Sequence, residues 1–215
     1  MQPDLQPAVL RPAASRPTLL MALAVLPAGF LLGFLDFVWI KYVPSPLGDL
    51  GNSSAVWAVA AFAFGYWIRT GRLRAAAAAS AMLVIAVPSY YIAAALIQND
   101  DWAVIRQPSS IIWMAFGVIA GTVFGIGGTW AHDHDWRRIA GPALPGAVLF
   151  AEALLHATRI GDPNYGNTPI ADVLINTALG VLIIVLIARQ RLLALAAAVP
   201  LALAGFAAFL LTGFR

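Results

Sequence analysis

The side chains from which chemistry has to be argued are a few polar groups set in otherwise apolar runs. Asp36 lies in the first such run and Glu152 in the fifth, with Tyr91 in the third and Asn176 in the sixth. An ionisable group inside a bilayer costs several kcal/mol, so each one is a site hypothesis by default. Asp36 is seven residues before the end of its run and Glu152 six before the end of its own. At ~1.5 Å per residue both acids therefore lie ~10 Å below the same surface. Tyr91 and Asn176 fall at a similar level, with Ser89 and Tyr90 close by.

The fifth run adds a polar stripe. Glu152, His156 and Arg159 are spaced i, i+4 and i+7, which puts all three on one helix face. In the sixth run Thr168 can cap, Pro169 suits the first helical position, and Asp172 in the first turn gains from the positive helix terminus. With Asn176 four residues later, Asp172 can also face the same cavity. Two accounts of these groups stand side by side. In one, Glu152 pairs with His156 or Arg159 and Asp36 bonds a tyrosine hydroxyl, and both pairs simply hold the bundle. In the other, Asp36, Tyr91, Glu152, His156, Asn176 and Asp172 form a pocket open to the outside. The polar groups crowd the outer halves of the runs and the inner halves are nearly bare, which favours the pocket.

Other chemistries find little support. His132-Asp133-His134-Asp135 alternates metal-ligand types, yet residues two apart share no helix face and Arg137 and Arg138 adjoin them, so a solvated turn is expected and no metal site is assigned. Asp100-Asp101-Trp102 reads as solvent-facing charge beside an interface anchor. The chain has no cysteine, which excludes disulfides and thiolate chemistry. Its one lysine is Lys41, so the last run offers no Schiff-base lysine. With three histidines and neither a P-loop nor a His-Glu-x-x-His motif, zinc-hydrolase and nucleotide-driven functions are not indicated, and no cofactor is implied.

The elements that must position these groups follow from composition. Of 215 residues 61% are hydrophobic and 11% charged, against roughly 25% charged in a soluble domain. The apolar residues fall in runs of about 20, the length that crosses a hydrocarbon core. Because the runs are apolar on every face they are helices and not barrel strands. The expected fold is an all-α integral membrane protein, a bundle of about seven transmembrane helices. Spans are placed at 18–43, 54–70, 75–98, 109–130, 138–158, 169–189 and 192–213, after a proline-rich tail over 1–17 read as disordered and cytoplasmic. Short connections predict that sequential helices lie antiparallel and adjacent.

Arginine sets the orientation. An inward N-terminus places Arg11, Arg16, Arg69, Arg72, Arg74, Arg137, Arg138, Arg189 and Arg191 inside, against Lys41, Arg106, Arg159 and Arg215 outside. This bias predicts N-terminus in and C-terminus out. The basic balance is met by anionic lipid headgroups and calls for no nucleic acid. Tryptophans agree, with Trp39, Trp57, Trp102 and Trp113 near the outer boundary and Trp67, Trp130 and Trp136 near the inner one. Gly117, Gly121 and Gly125 strip one face of the fourth span for close packing, within the bundle or through a homo-oligomer or partner helix. Kinks are expected at Pro88, Pro142, Pro145 and Pro200. Gly48-Asp49-Leu50-Gly51-Asn52-Ser53 and Gly161-Asp162-Pro163-Asn164 each follow an outward span, which suits turn chemistry and, more faintly, a three-plus-one-plus-three helix repeat.

The stretch Asn52-Ser53-Ser54-Ala55-Val56-Trp57-Ala58-Val59-Ala60-Ala61-Phe62, with Ala151-Glu152-Ala153, resembles an uncharacterised family of small actinobacterial multi-pass membrane proteins. The resemblance implies a bacterial plasma-membrane location and no particular activity. The expected function is binding or transport of a small solute or lipid headgroup in the outward pocket, with proton exchange at Glu152 or Asp36 as the coupling step. One alternative is a membrane-embedded enzyme on a lipid or isoprenoid, where one acid donates a proton and aromatic rings stabilise positive charge. The other is an accessory subunit assembled through the glycine face, with no chemistry of its own.

Overall fold

The computed structural model describes residues 16–69 and 71–212. The tail expected over 1–17 falls outside them except for Arg16 and Pro17, which open the first helix. Seven α-helices follow: α1 (Arg16–Tyr42), α2 (Ser54–Ile68), α3 (Arg72–Gln98), α4 (Pro108–Trp130), α5 (Arg137–Ala157), α6 (Thr168–Ile187) and α7 (Arg191–Thr212). Short 3-10 turns at Leu47–Asn52 and Trp102–Arg106 precede α2 and α4. No strand occurs among the described residues.

Six of these helices are long and apolar enough to cross a membrane, while α2 is a shorter apolar helix of 15 residues. Large aliphatic side chains cover the outside; Leu186 and Leu192, for example, are 72% and 82% exposed. A soluble protein has no means of hydrating such a surface, and lipid requires none. The chain is a multi-pass membrane protein. Helix α3 runs unbroken through Pro88, α5 through Pro142 and Pro145, and α7 through Pro200.

Packing departs from chain order. Helices α1 and α2 barely touch, as do α6 and α7, so the expectation that every sequential pair lies side by side is corrected. The main pairs are α1 with α3, α3 with α4, α2 with α4, and α5 with both α6 and α7. The reason is where small residues lie, because in lipid helices associate by close backbone approach and not by hiding apolar surface. Gly29 and Gly33 of α1 leave no room for a Cβ against the backbone of α3 at Met82 and Ala86. Between α5 and α7 a cluster of Ala143, Ala147, Ala194, Ala198 and Ala202 is buried.

The glycine face of α4 is engaged inside the chain. Gly121 abuts the backbone of Ser80, and a Cβ at Gly125 would stand 2.8 Å from the Ala75 carbonyl. Ser80 seals this contact by donating to the Val118 carbonyl at 3.0 Å. On its other side α4 meets α2, where Gly65 abuts Gly125. The two halves of the chain also differ in arrangement. Helix α3 touches both α1 and α2, whereas in the second half it is α5, the first helix, that touches the other two. This is not the order that a repeated three-helix unit would show.

Candidate binding cavity and the buried acid cluster

The first turn of α2 organises the polar residues. Ser53 is its N-cap, and its hydroxyl oxygen accepts from the Val56 amide at 3.1 Å. One turn on, Trp57 points at α1, and its indole Nε1 donates to Asp36 Oδ2 at 2.9 Å. Asp36 is only 9% exposed, so this bond supplies the partner that a buried acid needs.

Beside that pair a cavity of about 410 Å³ opens between α1, the start of α2, α3 and α4. Its wall includes six aromatic side chains, Phe37, Trp57, Tyr90, Tyr91, Trp113 and Phe116. Tyr90 stands edge-on to Phe37 and to Tyr91, with ring centroids 5.2 and 5.5 Å apart. Room for the cavity comes from small residues, among them Gly117 and Ala120 on α4. At its exposed edge Gln98 donates to Asp100 at 2.9 Å and accepts from Lys41 at 3.3 Å.

A second polar group lies behind the same turn. Glu152 of α5 accepts from the Ser53 hydroxyl at 2.8 Å and from the Ala55 amide at 3.0 Å, both through Oε2. Its carboxyl thus closes the N-terminus of α2, where free amides and the helix dipole favour an anion. His156, one turn along α5, stands between two acids: Nε2 is 3.9 Å from Glu152 Oε1 and Nδ1 is 3.5 Å from Asp172 Oδ2. Asn176 donates to the Asp172 backbone carbonyl at 3.0 Å, and its own buried side-chain oxygen has no hydrogen-bond partner among the described residues.

The residues expected in one pocket therefore fall into two groups. Asp36 and Tyr91 line the cavity; Glu152, His156, Asp172 and Asn176 do not, and they gather at α5 and α6 instead. Ser53 belongs to both, since it lines the cavity and bonds Glu152. Residue spacing gives an expected depth and leaves direction around the bundle open, and the first turn of α2 stands between the two acids. The partner of Asp36 is an indole where a tyrosine hydroxyl was expected. Arg159 lies over the Tyr165 ring at 5.1 Å. Thr168 is the first residue of α6 and Asn167 occupies the cap position, so Asp172 sits beyond the first turn and faces His156.

Sequence reasoning missed Ser53 and Trp57 as site residues. Ser53 reads as a turn former, and Trp57 and Trp113 read as headgroup anchors; the one local signal is that Ser53 can cap the helix on which Trp57 lies one turn later. At the opposite end His132 Nε2 is 3.0 Å from the Tyr66 carbonyl, and Asp133 pairs with Arg72 at 2.9 Å. Among the described residues no group of three or more His, Cys, Asp or Glu is placed to hold a metal ion.

Replacing Trp57 with Phe keeps the ring and removes the donor to Asp36. The expected loss is about 1–2 kcal/mol of stability, read as a lower melting temperature of the detergent-solubilised chain by circular dichroism. An unchanged melt would show that Asp36 is satisfied some other way.

No curated protein and no solved structure matches the chain. A family profile does, over residues 12–213, and the chain accordingly belongs to that family of unknown function, DUF6518.

Proposed function

We propose that this protein sits in the bacterial plasma membrane with its N-terminus in the cytoplasm and its C-terminus outside, and that it binds or transports a small solute or lipid headgroup in the cavity beside Asp36. The observation that carries this reading is the cavity itself: about 410 Å³ of space with a buried acid in its wall. That is within the size range of small-molecule sites, which are mostly apolar with a few directing polar groups. The orientation rests on the arginine bias and would place the cavity at the outer side.

Ala120→Phe tests it by filling the space from α4. Mass spectrometry of the purified wild-type chain should find a small molecule or lipid that copurifies and is lost from the variant. Identical bound species on both proteins would remove the reading.

A lipid- or isoprenoid-directed enzyme is the second reading, and the placement of His156 between Glu152 and Asp172 is what favours it. It is the weaker one, because those three side chains lie outside the cavity wall. The accessory-subunit reading loses its motive, since the glycine face it would use is occupied by α3 and α2.

A further inference from the structure

We infer that the ligand of this cavity is an organic cation, a compound whose ammonium group is held by Asp36 and the surrounding aromatic rings. The inference deepens the binding reading above and rests on it.

Charge comes first. The lining residues include Asp36 and Asp100 and neither an arginine nor a lysine, although the chain as a whole carries a net charge of +3. Lys41 approaches only through Gln98 at the exposed edge. An anionic ligand would meet two carboxylates with no compensating donor of positive charge, whereas a cation meets both as partners. Trp57 engages Asp36 through Oδ2, and among the described residues no hydrogen bond is made to Oδ1, which can accept from a donor or pair directly with a cation.

The aromatic lining then favours one kind of cation. Trp57, Tyr90, Tyr91, Trp113 and Phe116 surround the space, and the negative faces of such rings attract ammonium groups, more strongly where water is excluded. A bare divalent metal ion is poorly served here, because calcium or magnesium demands about six or more oxygen ligands and the wall supplies mainly carbon. An alkylated ammonium is weakly hydrated and fits an apolar wall. The volume of about 410 Å³ is far larger than one metal ion and accommodates a small organic amine. The same ammonium chemistry is carried by free amines and by the headgroups of ethanolamine and choline lipids.

Isothermal titration calorimetry on the full detergent-solubilised chain tests this with choline, its uncharged isostere 3,3-dimethylbutan-1-ol, and dihexanoylphosphatidylcholine. Choline should bind saturably, and the isostere about tenfold or more weaker. Asp36→Asn should weaken choline by a similar factor. Should that variant fold poorly, Tyr91→Ala against Tyr91→Phe serves the same end: loss of the ring weakens choline and loss of the hydroxyl alone does not. Competition by the short-chain lipid points to a headgroup as source, and its absence points to a free amine; either keeps the ammonium assignment. Equal binding of choline and the isostere overturns that assignment and leaves the cavity reading standing. No choline binding, together with an effect of Ala120→Phe on the copurified species, does the same. No choline binding and no effect of Ala120→Phe removes both.

Discussion

Glu152→Ala should lower the stability of the folded chain by about 3 kcal/mol, because it orphans two buried donors at once and each unsatisfied donor costs about 1–3 kcal/mol. The Ser53 hydroxyl and the Ala55 amide both donate to one carboxylate oxygen, in surroundings where Ser53 is 3% exposed and Ala55 not at all. The positive end of α2 loses its counter-charge in the same step. Glu152→Gln keeps an acceptor oxygen in nearly the same volume, so its loss should be about 1 kcal/mol. Unfolding in mixed micelles, followed by circular dichroism, separates the two. Equal stability of both variants and the wild type would mean that the carboxyl does not hold α2. The glutamine variant should also bind choline about as the parent does, since Glu152 is not part of the cavity wall.

Gly121→Val should be among the most damaging single changes, with an expected loss above about 3 kcal/mol and little recovery of monodisperse protein on size-exclusion chromatography. A Cβ at Gly121 meets the backbone nitrogen and Cα of Ser80, not the end of a flexible side chain. Relief therefore requires α3 and α4 to move apart as bodies. Separation would break the Ser80 bonds to the Val118 carbonyl and to Thr122, which are 3.0 and 3.2 Å long in the native contact. Gly117→Ala is the control: its new methyl would lie 3.3 Å from the Leu83 Cβ, a tight contact that a small shift relieves. A Gly121→Val protein that elutes and melts like the wild type would show that the two helices are not in backbone contact.

What the sequence revealed and what it hid divide along a physical line. A helix in lipid is specified by the length of its own apolar run, so α4 appears at Pro108–Trp130 where spacing alone suggested 109–130. Which helices meet is not a local property, and hydropathy carries no information when every face is apolar. Gly121 announced a close approach but not that Ser80 would be on the other side. Asp36 and Glu152 could be assigned a depth by counting residues, while their bearing depended on α2 standing between them. Ser53 shows the limit most clearly: its role comes from a bond to a residue 99 positions away, and a serine among turn formers gives no hint of that. The arginine bias, by contrast, is a statement about orientation that rests on the sequence alone.

The brevity of α2 has a further effect. At ~1.5 Å per residue its 15 residues extend ~22 Å, against a hydrocarbon layer of about 30 Å. Its flanks are clad by α3, α4 and α5, so acyl chains need not stretch or compress to meet it. The shortfall falls to the protein instead, and the N-terminal end of α2, which the turn at Leu47–Asn52 precedes, is closed by the Glu152 carboxyl. Along that one axis the helix itself covers about three quarters of the hydrocarbon thickness.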